Sequence, residues 1–311
     1  MSMAKLTTPY GSILRTANGA HWYTGGTWRL MNHPSCLPSI LAYAPVGDQF
    51  PLRPNQKTLD LNGVTLVKVS NQPLDVYSSV YLPPVRDLIT GPRFGRLVFL
   101  DEQHVVEVRD PRQFARQFIS RLQPEGAIVA DLCRRLGVNP ETDIGIWGSC
   151  LMFDEPVRRH EIDILIYGQD LSYRAYERML TAMLGREFQM DPQLGICSAF
   201  CYKGTTIDLF FAMESQLVHP LHKARIRVLG KLFAEEITIE DTGEALFYPA
   251  LYTTSTGKRL LSFRPAHSRR FFRQGSKLRF ESISVGEIDW SSGSKEEFYG
   301  ILDYETGQFV K

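Results

Sequence analysis

An α+β fold is the class this sequence predicts, with a mixed sheet and its helices in the middle of the chain and a β-rich module on either side. Three observations point there. Apolar positions repeat at helical spacing only between residues 111 and 184. Short apolar runs broken by Pro, Gly and Asn fill residues 1–95, the punctuation of strands and turns. Runs of the same kind return beyond residue 216. The expected organisation is a β-rich module over 1–95, a core over 96–215, and a β-rich basic module over 216–311.

Within the first module, residues 39–45, 63–69 and 76–82 read as strands, and Gly25-Gly26 invites a hairpin. Residues 96–100 and 105–108 suggest another hairpin. Asp110-Pro111 then has the form of a helix start, with Asp as N-cap and Pro in the first turn. Phe114, Phe118, Ile119 and Leu122 follow at helical spacing. After Pro124, Ile128, Val129, Leu132 and Leu136 mark a second helix, and Gly137 is placed to cap it. Residues 143–147 form a strand, Gly148-Ser149 a turn, and 149–153 a short helix stopped at Asp154-Glu155-Pro156. A strand over 162–167, a helix over 171–184 and strands over 198–202 and 206–211 complete the core. Beyond it, 226–229, 232–233, 237–239 and 245–248 are short strand candidates.

The chemistry concentrates in two places. Glu161 and Asp163 are two apart in an apolar strand, so their carboxylates project from one face. Asp208 is a lone acid in a second apolar run, and it completes a triad if the two strands are neighbours. Carboxylates in that arrangement suit Mg²⁺ or Mn²⁺, which take oxygen ligands and keep several waters. Upstream, the Gly148-Ser149 turn frees backbone N–H groups to face a phosphate. Together these features suggest metal-assisted phosphoryl transfer from a nucleotide.

This ordering resembles the nucleotidyltransferase superfamily typified by DNA polymerase beta. The pieces are Ile146-Trp147-Gly148-Ser149, then Glu161-Ile162-Asp163-Ile164, then Asp208, and the resemblance spans roughly residues 112–215. It looks closest to the small predicted nucleotidyltransferases of archaea and bacteria. The resemblance implies a polymerase-beta-like core and transfer of a nucleoside monophosphate from a nucleoside triphosphate to a hydroxyl, with pyrophosphate released. RNA, another nucleic acid, a protein or a small molecule are the acceptors it allows. It also implies phosphate contact at Gly148 and Ser149, metal ligation at Glu161 and Asp163, and activation of the hydroxyl by Asp208, which the strand reading above adds to the metal ligands. Glu161 departs from the family pattern, which usually has Asp there. Its extra methylene moves the carboxylate by roughly 1 Å, a displacement that can cost about a hundredfold in rate. The alternative is therefore a catalytically degenerate nucleic-acid-binding protein, or a toxin-like modifier of RNA or protein.

The second place is residues 258–279, which hold eight basic residues and no acid. Arg264, Arg269, Arg270, Arg273 and Lys277 are its candidate nucleic-acid contacts, interleaved with Phe263, Phe271 and Phe272. A basic surface over a Phe-lined core is the competing reading. Arg158, Arg159 and His160 before the acids, and His219, His222, Lys223, Arg225 and Arg227 after them, are either phosphate contacts or solvated loop residues.

Composition narrows the classes. The net charge of +1 leaves any nucleic-acid binding to local charge. No apolar run reaches the roughly 18 residues of a membrane span, and the start lacks a signal-peptide core, so a cytoplasmic protein with no membrane partner is expected. Five scattered cysteines argue for buried thiols rather than a disulfide framework.

Overall fold

The computed structural model describes residues 11–302 and 309–310, apart from 25, 27, 32–33, 48–49, 55, 70–97, 157–160, 191–198, 214–220, 264–267 and 269. The strand expected over 76–82 lies outside the described residues. The chain divides into two compact units: Met1–Leu14 with Glu107–Val218, and Arg15–Val106 with His219–Lys311.

The first unit holds all three α-helices among the described residues: α1 (Pro111–Arg121), α2 (Glu125–Leu136) and α3 (Gln169–Leu184). Helix α1 starts because the Asp110 carboxylate accepts the Arg112 N–H at 2.8 Å and Pro111 needs no donor partner in the first turn. It buries Phe114, Ala115 and Phe118 on one stripe. Helix α2 buries Val129, Leu132, Cys133 and Leu136, and ends at Gly137 with φ 69°. Burial pushes the Cys133 thiol up to about 12, which marks it as an inert core thiol.

The strands of this unit are β1 (Ile144–Trp147), β2 (Glu161–Tyr167), β3 (Gln189–Met190), β4 (Ala199–Tyr202) and β5 (Thr205–Ala212), in the sheet order β3-β4-β5-β2-β1. β2 runs parallel to β5 and antiparallel to β1. Lys203 and Gly204, both at positive φ, turn β4 into β5. From Ile164 to Tyr167 every residue of β2 is buried, as a central strand covered on both faces requires.

The second unit is built from strands. Cys36–Pro45 pairs with His21–Thr24, Val64–Lys68 and Val98–Asp101. Beyond residue 224 come β6 (Arg225–Asp241), β7 (Ala250–Thr254), β8 (Arg259–Ser262), β9 (Lys277–Asp289) and β10 (Lys295–Ile301). Their order β9-β10-β8-β7-β6, with a further β9–β6 pairing, closes a five-stranded barrel. β8 and β10 are parallel, and the other ladders of the ring are antiparallel. Ile237, Tyr252, Leu260, Phe280, Tyr299 and Ile301 fill its interior. Arg29–Leu30 runs parallel to Arg225 and Ile226, and Trp28, Cys36 and Phe99 share a core with Leu251, Leu261 and Phe298. The two flanking segments thus fold together as one unit.

The α+β expectation, a polymerase-beta-like mixed-sheet core setting the class of the chain, is corrected. The protein is predominantly β: three sheets carry nineteen strands against three α-helices among the described residues, and a closed barrel is its dominant feature. The reason is the length of the flanking strands. Three short candidates over 226–239 are one strand of 17 residues, because a register shift between Val228 and Gly230 and a positive φ at Ala234 are absorbed within the strand rather than ending it. Other local expectations change as well. Val98–Asp101 pairs with Cys36–Pro45 rather than with the strand that follows it, and residues 245–248 are turn and bend rather than strand.

Candidate metal and phosphate centre

β2 and β5 bring the three acids together. Their parallel register sets Asp163 beside Asp208 and Glu161 beside Thr206. On the other side of β2, Trp147, the last residue of β1, stands opposite Asp163. Ligand oxygens of Glu161, Asp163 and Asp208 all lie within 4.8 Å of one another, with Asp208 buried and the other two half-buried. Below them on the same face, Leu165, Tyr167 and Ala212 form an apolar floor with Trp147 and Phe210, whose rings meet edge-on at 4.6 Å. The acids therefore stand where a hydrophobic sheet face gives way to a polar rim.

Gly148 adds a second constraint. It follows Trp147 directly, has φ 65°, and a Cβ there would lie 1.7 Å from Asp163 Oδ2. Any other residue type would have to displace that carboxylate and hold a left-handed φ. The backbone of the turn is thus held against the acids, and Ser149 follows in the 3₁₀ segment Gly148–Met152. Arg109 anchors the chain just beyond. Its guanidinium donates to the carbonyls of Leu151 (3.5 Å) and Met152. It also pairs with Asp154 and Glu107, each at 2.7 Å.

The donor set fits a small divalent cation. Oxygens on one Mg²⁺ stand about 3.0 Å apart when cis and about 4.2 Å apart when trans, so a triad whose oxygens all lie within 4.8 Å of one another can close on one ion by rotation of its carboxylates. A cation between the carboxylates would offset their mutual repulsion. A cleft of about 190 Å³ lined by Glu107, Arg109, Gln113, Gln117, Phe153 and Asp154 is smaller than the roughly 300 Å³ of an ordinary ligand pocket.

The structure brings Gly148, Ser149, Glu161, Asp163 and Asp208 into one unit, and Arg270, Arg273 and Lys277 belong to the other. Arg264 and Arg269 lie outside the described residues, as do Arg158, Arg159, His160 and His219. Arg109 escaped the sequence reading; a lone Arg just ahead of a helix start carries no local signal. Among the described residues, no helix is long and apolar enough to cross a membrane. No family model, no curated protein and no solved structure matches the chain.

Proposed function

We propose that this protein is a metal-dependent nucleotidyltransferase that moves a nucleoside monophosphate from a nucleoside triphosphate to a hydroxyl acceptor. The observation that carries the reading is the pairing of Asp163 with Asp208 across a parallel ladder, with Glu161 in reach and Gly148 packed against Asp163. It rests on this side-chain geometry and on the ordered residue pattern, and owes nothing to the class of the fold.

Glu161, Asp163 and Asp208 would hold Mg²⁺ or Mn²⁺, and the ion would supply charge neutralisation at the phosphates. Gly148 and Ser149 bind the triphosphate through backbone N–H groups and the Ser149 hydroxyl. Asp208 accepts the proton of the attacking hydroxyl. The hydroxyl oxygen bonds to the α-phosphorus, the bond to the β-phosphate oxygen breaks, and pyrophosphate leaves. The apolar floor under the acids offers water no polar partner on that side of the centre.

Incubation with each α-labelled nucleoside triphosphate, Mg²⁺ or Mn²⁺, and total RNA or a protein extract tests this. Label transfer and stoichiometric pyrophosphate release are expected, with a loss of about 10²–10³ in Asp163→Asn and Asp208→Asn. Equal rates in wild type and both variants, for every nucleotide, overturn the proposal.

A further inference from the structure

The barrel carries a surface that the acid centre does not use. Of the eight cations in residues 258–279, two are neutralised: Lys258 by Glu297, and Arg259 by Glu244 and Glu296. Arg273, Lys277 and Arg279 are exposed, and among the described residues none of them is within ion-pair distance of an acid. Lys277 and Arg279 alternate with buried Leu278 and Phe280, so they project from the outer face of β9.

Two aromatic rings accompany them. Phe271 is 56% exposed and Phe233 is 73% exposed, although a Phe ordinarily hides most of its area. Phe271 is held by its neighbour: Phe272 plugs the barrel end against Tyr252 at 5.2 Å, and the loop is pinned where Arg270 N donates to Ala245 O and Gly275 N to Ile239 O. Phe233 pairs with Ser282, five residues along β9 from Lys277, a span of about 17 Å; Phe280 and Ile283 both lie in the barrel core, so the alternation breaks between them and Ser282 returns to the outer side. That length matches about five stacked nucleotides. The outer side chains of β7 and β8 offer no such platform, because Leu251 and Leu261 are buried with Trp28 and Phe99.

We propose that the outer β6–β9 face, with Phe271 and Arg273 just ahead of β9, binds an unpaired polynucleotide strand. Arg273, Lys277 and Arg279 neutralise successive phosphates, while Phe233 and Phe271 stack on bases. Small five-stranded barrels are a recurrent scaffold for such ligands. Glu236, across the ladder from Arg279, opposes the strand and limits its affinity. Naming this strand as the acceptor rests on the transferase reading; the binding itself does not.

Fluorescence anisotropy with labelled oligo-U, oligo-dT and a duplex of equal length, without nucleotide or metal, tests it. Both single strands are expected to bind more tightly than the duplex, and oligo-U against oligo-dT reports whether the 2′-hydroxyl is read. The triple variant Arg273→Ala/Lys277→Ala/Arg279→Ala should flatten the log-affinity against log-salt slope by about 2. Phe233→Leu and Phe271→Leu should weaken binding roughly five- to a hundredfold with the slope kept. Glu236→Gln should tighten it. Asp163→Asn/Asp208→Asn should bind as wild type even where transfer activity is absent. An unchanged slope in the folded triple variant, duplex binding equal to single-strand binding, or loss of binding in the acid variant overturns the proposal.

Discussion

The first unit gathers its chemistry at a point, whereas the second spreads its candidate chemistry over a surface. Around Asp163 one methyl group is too much: the space beside its carboxylate is filled by the backbone of Gly148. On the barrel, exposed side chains some 17 Å apart act through summed charge and stacking. The difference is one of tolerance. A point site depends on register and close approach, so single changes act in full. A distributed face loses affinity in increments, and only its supporting core is sensitive to one substitution.

The strongest way to break that contrast is at the barrel's support. Phe280 is completely buried inside the ring, and Phe280→Ala should cost about 3–5 kcal/mol by removing its area and leaving a cavity. Chemical denaturation should show a lower midpoint with an unchanged slope. A cost below about 1 kcal/mol would mean that the barrel interior is not close-packed.

Next comes Gly148→Ala. The new Cβ meets Asp163 Oδ2 at 1.7 Å, and the residue must also keep φ 65°. We expect about a hundredfold loss of transfer rate from a displacement near 1 Å. The positive φ and the clash together should cost about 2–4 kcal/mol of stability. Wild-type turnover in this variant would separate Gly148 from the centre altogether. Arg109→Met acts one step further out. Removing a half-buried guanidinium from two carbonyls and two carboxylates should cost about 1–3 kcal/mol and lower kcat more than it raises KM. Arg109→Lys should recover only part of this, since an ammonium cannot reproduce the fork.

Much of the first unit was legible because its signals are local. Asp110-Pro111 and Gly137 are caps whose chemistry lies within a turn of sequence. The spacing of Glu161 and Asp163 puts them on one face by strand geometry alone. Asp208 was legible only as a conditional: its apolar strand had to lie beside β2, and the register that does so is a long-range outcome. The barrel was not legible. β6 pairs with β9 along most of its length and with β7 at its end, and no residue within it announces that it changes partner. The union of the two flanks was hidden for the same reason, since Arg29–Leu30 meets Arg225 and Ile226 across about 200 residues of chain.

The smallest effect expected lies at Asp131 on α2, and it tests whether exposed charge in the first unit behaves like charge on the barrel. Lys203 Nζ stands 2.6 Å from its carboxylate and the Tyr202 hydroxyl donates to it at 2.5 Å. Lys203 first, then Tyr202, hold the Asp131 carboxyl down at about 2. Burial, followed by its bond to Asp131, pushes the Tyr202 phenol up to about 12. A carboxylate with a depressed folded value stabilises the fold above its ordinary value near 3.8 and loses that contribution as pH falls toward 2. Denaturation midpoints should therefore fall between pH 4 and 2 in wild type more steeply than in Asp131→Asn, with the two curves parallel above pH 5. Because this group is partly exposed and its partners reach solvent, added salt should shrink the difference. A difference that is independent of salt would show that the Asp131, Tyr202 and Lys203 network acts as a built structural element, unlike the incremental charge expected of the barrel face.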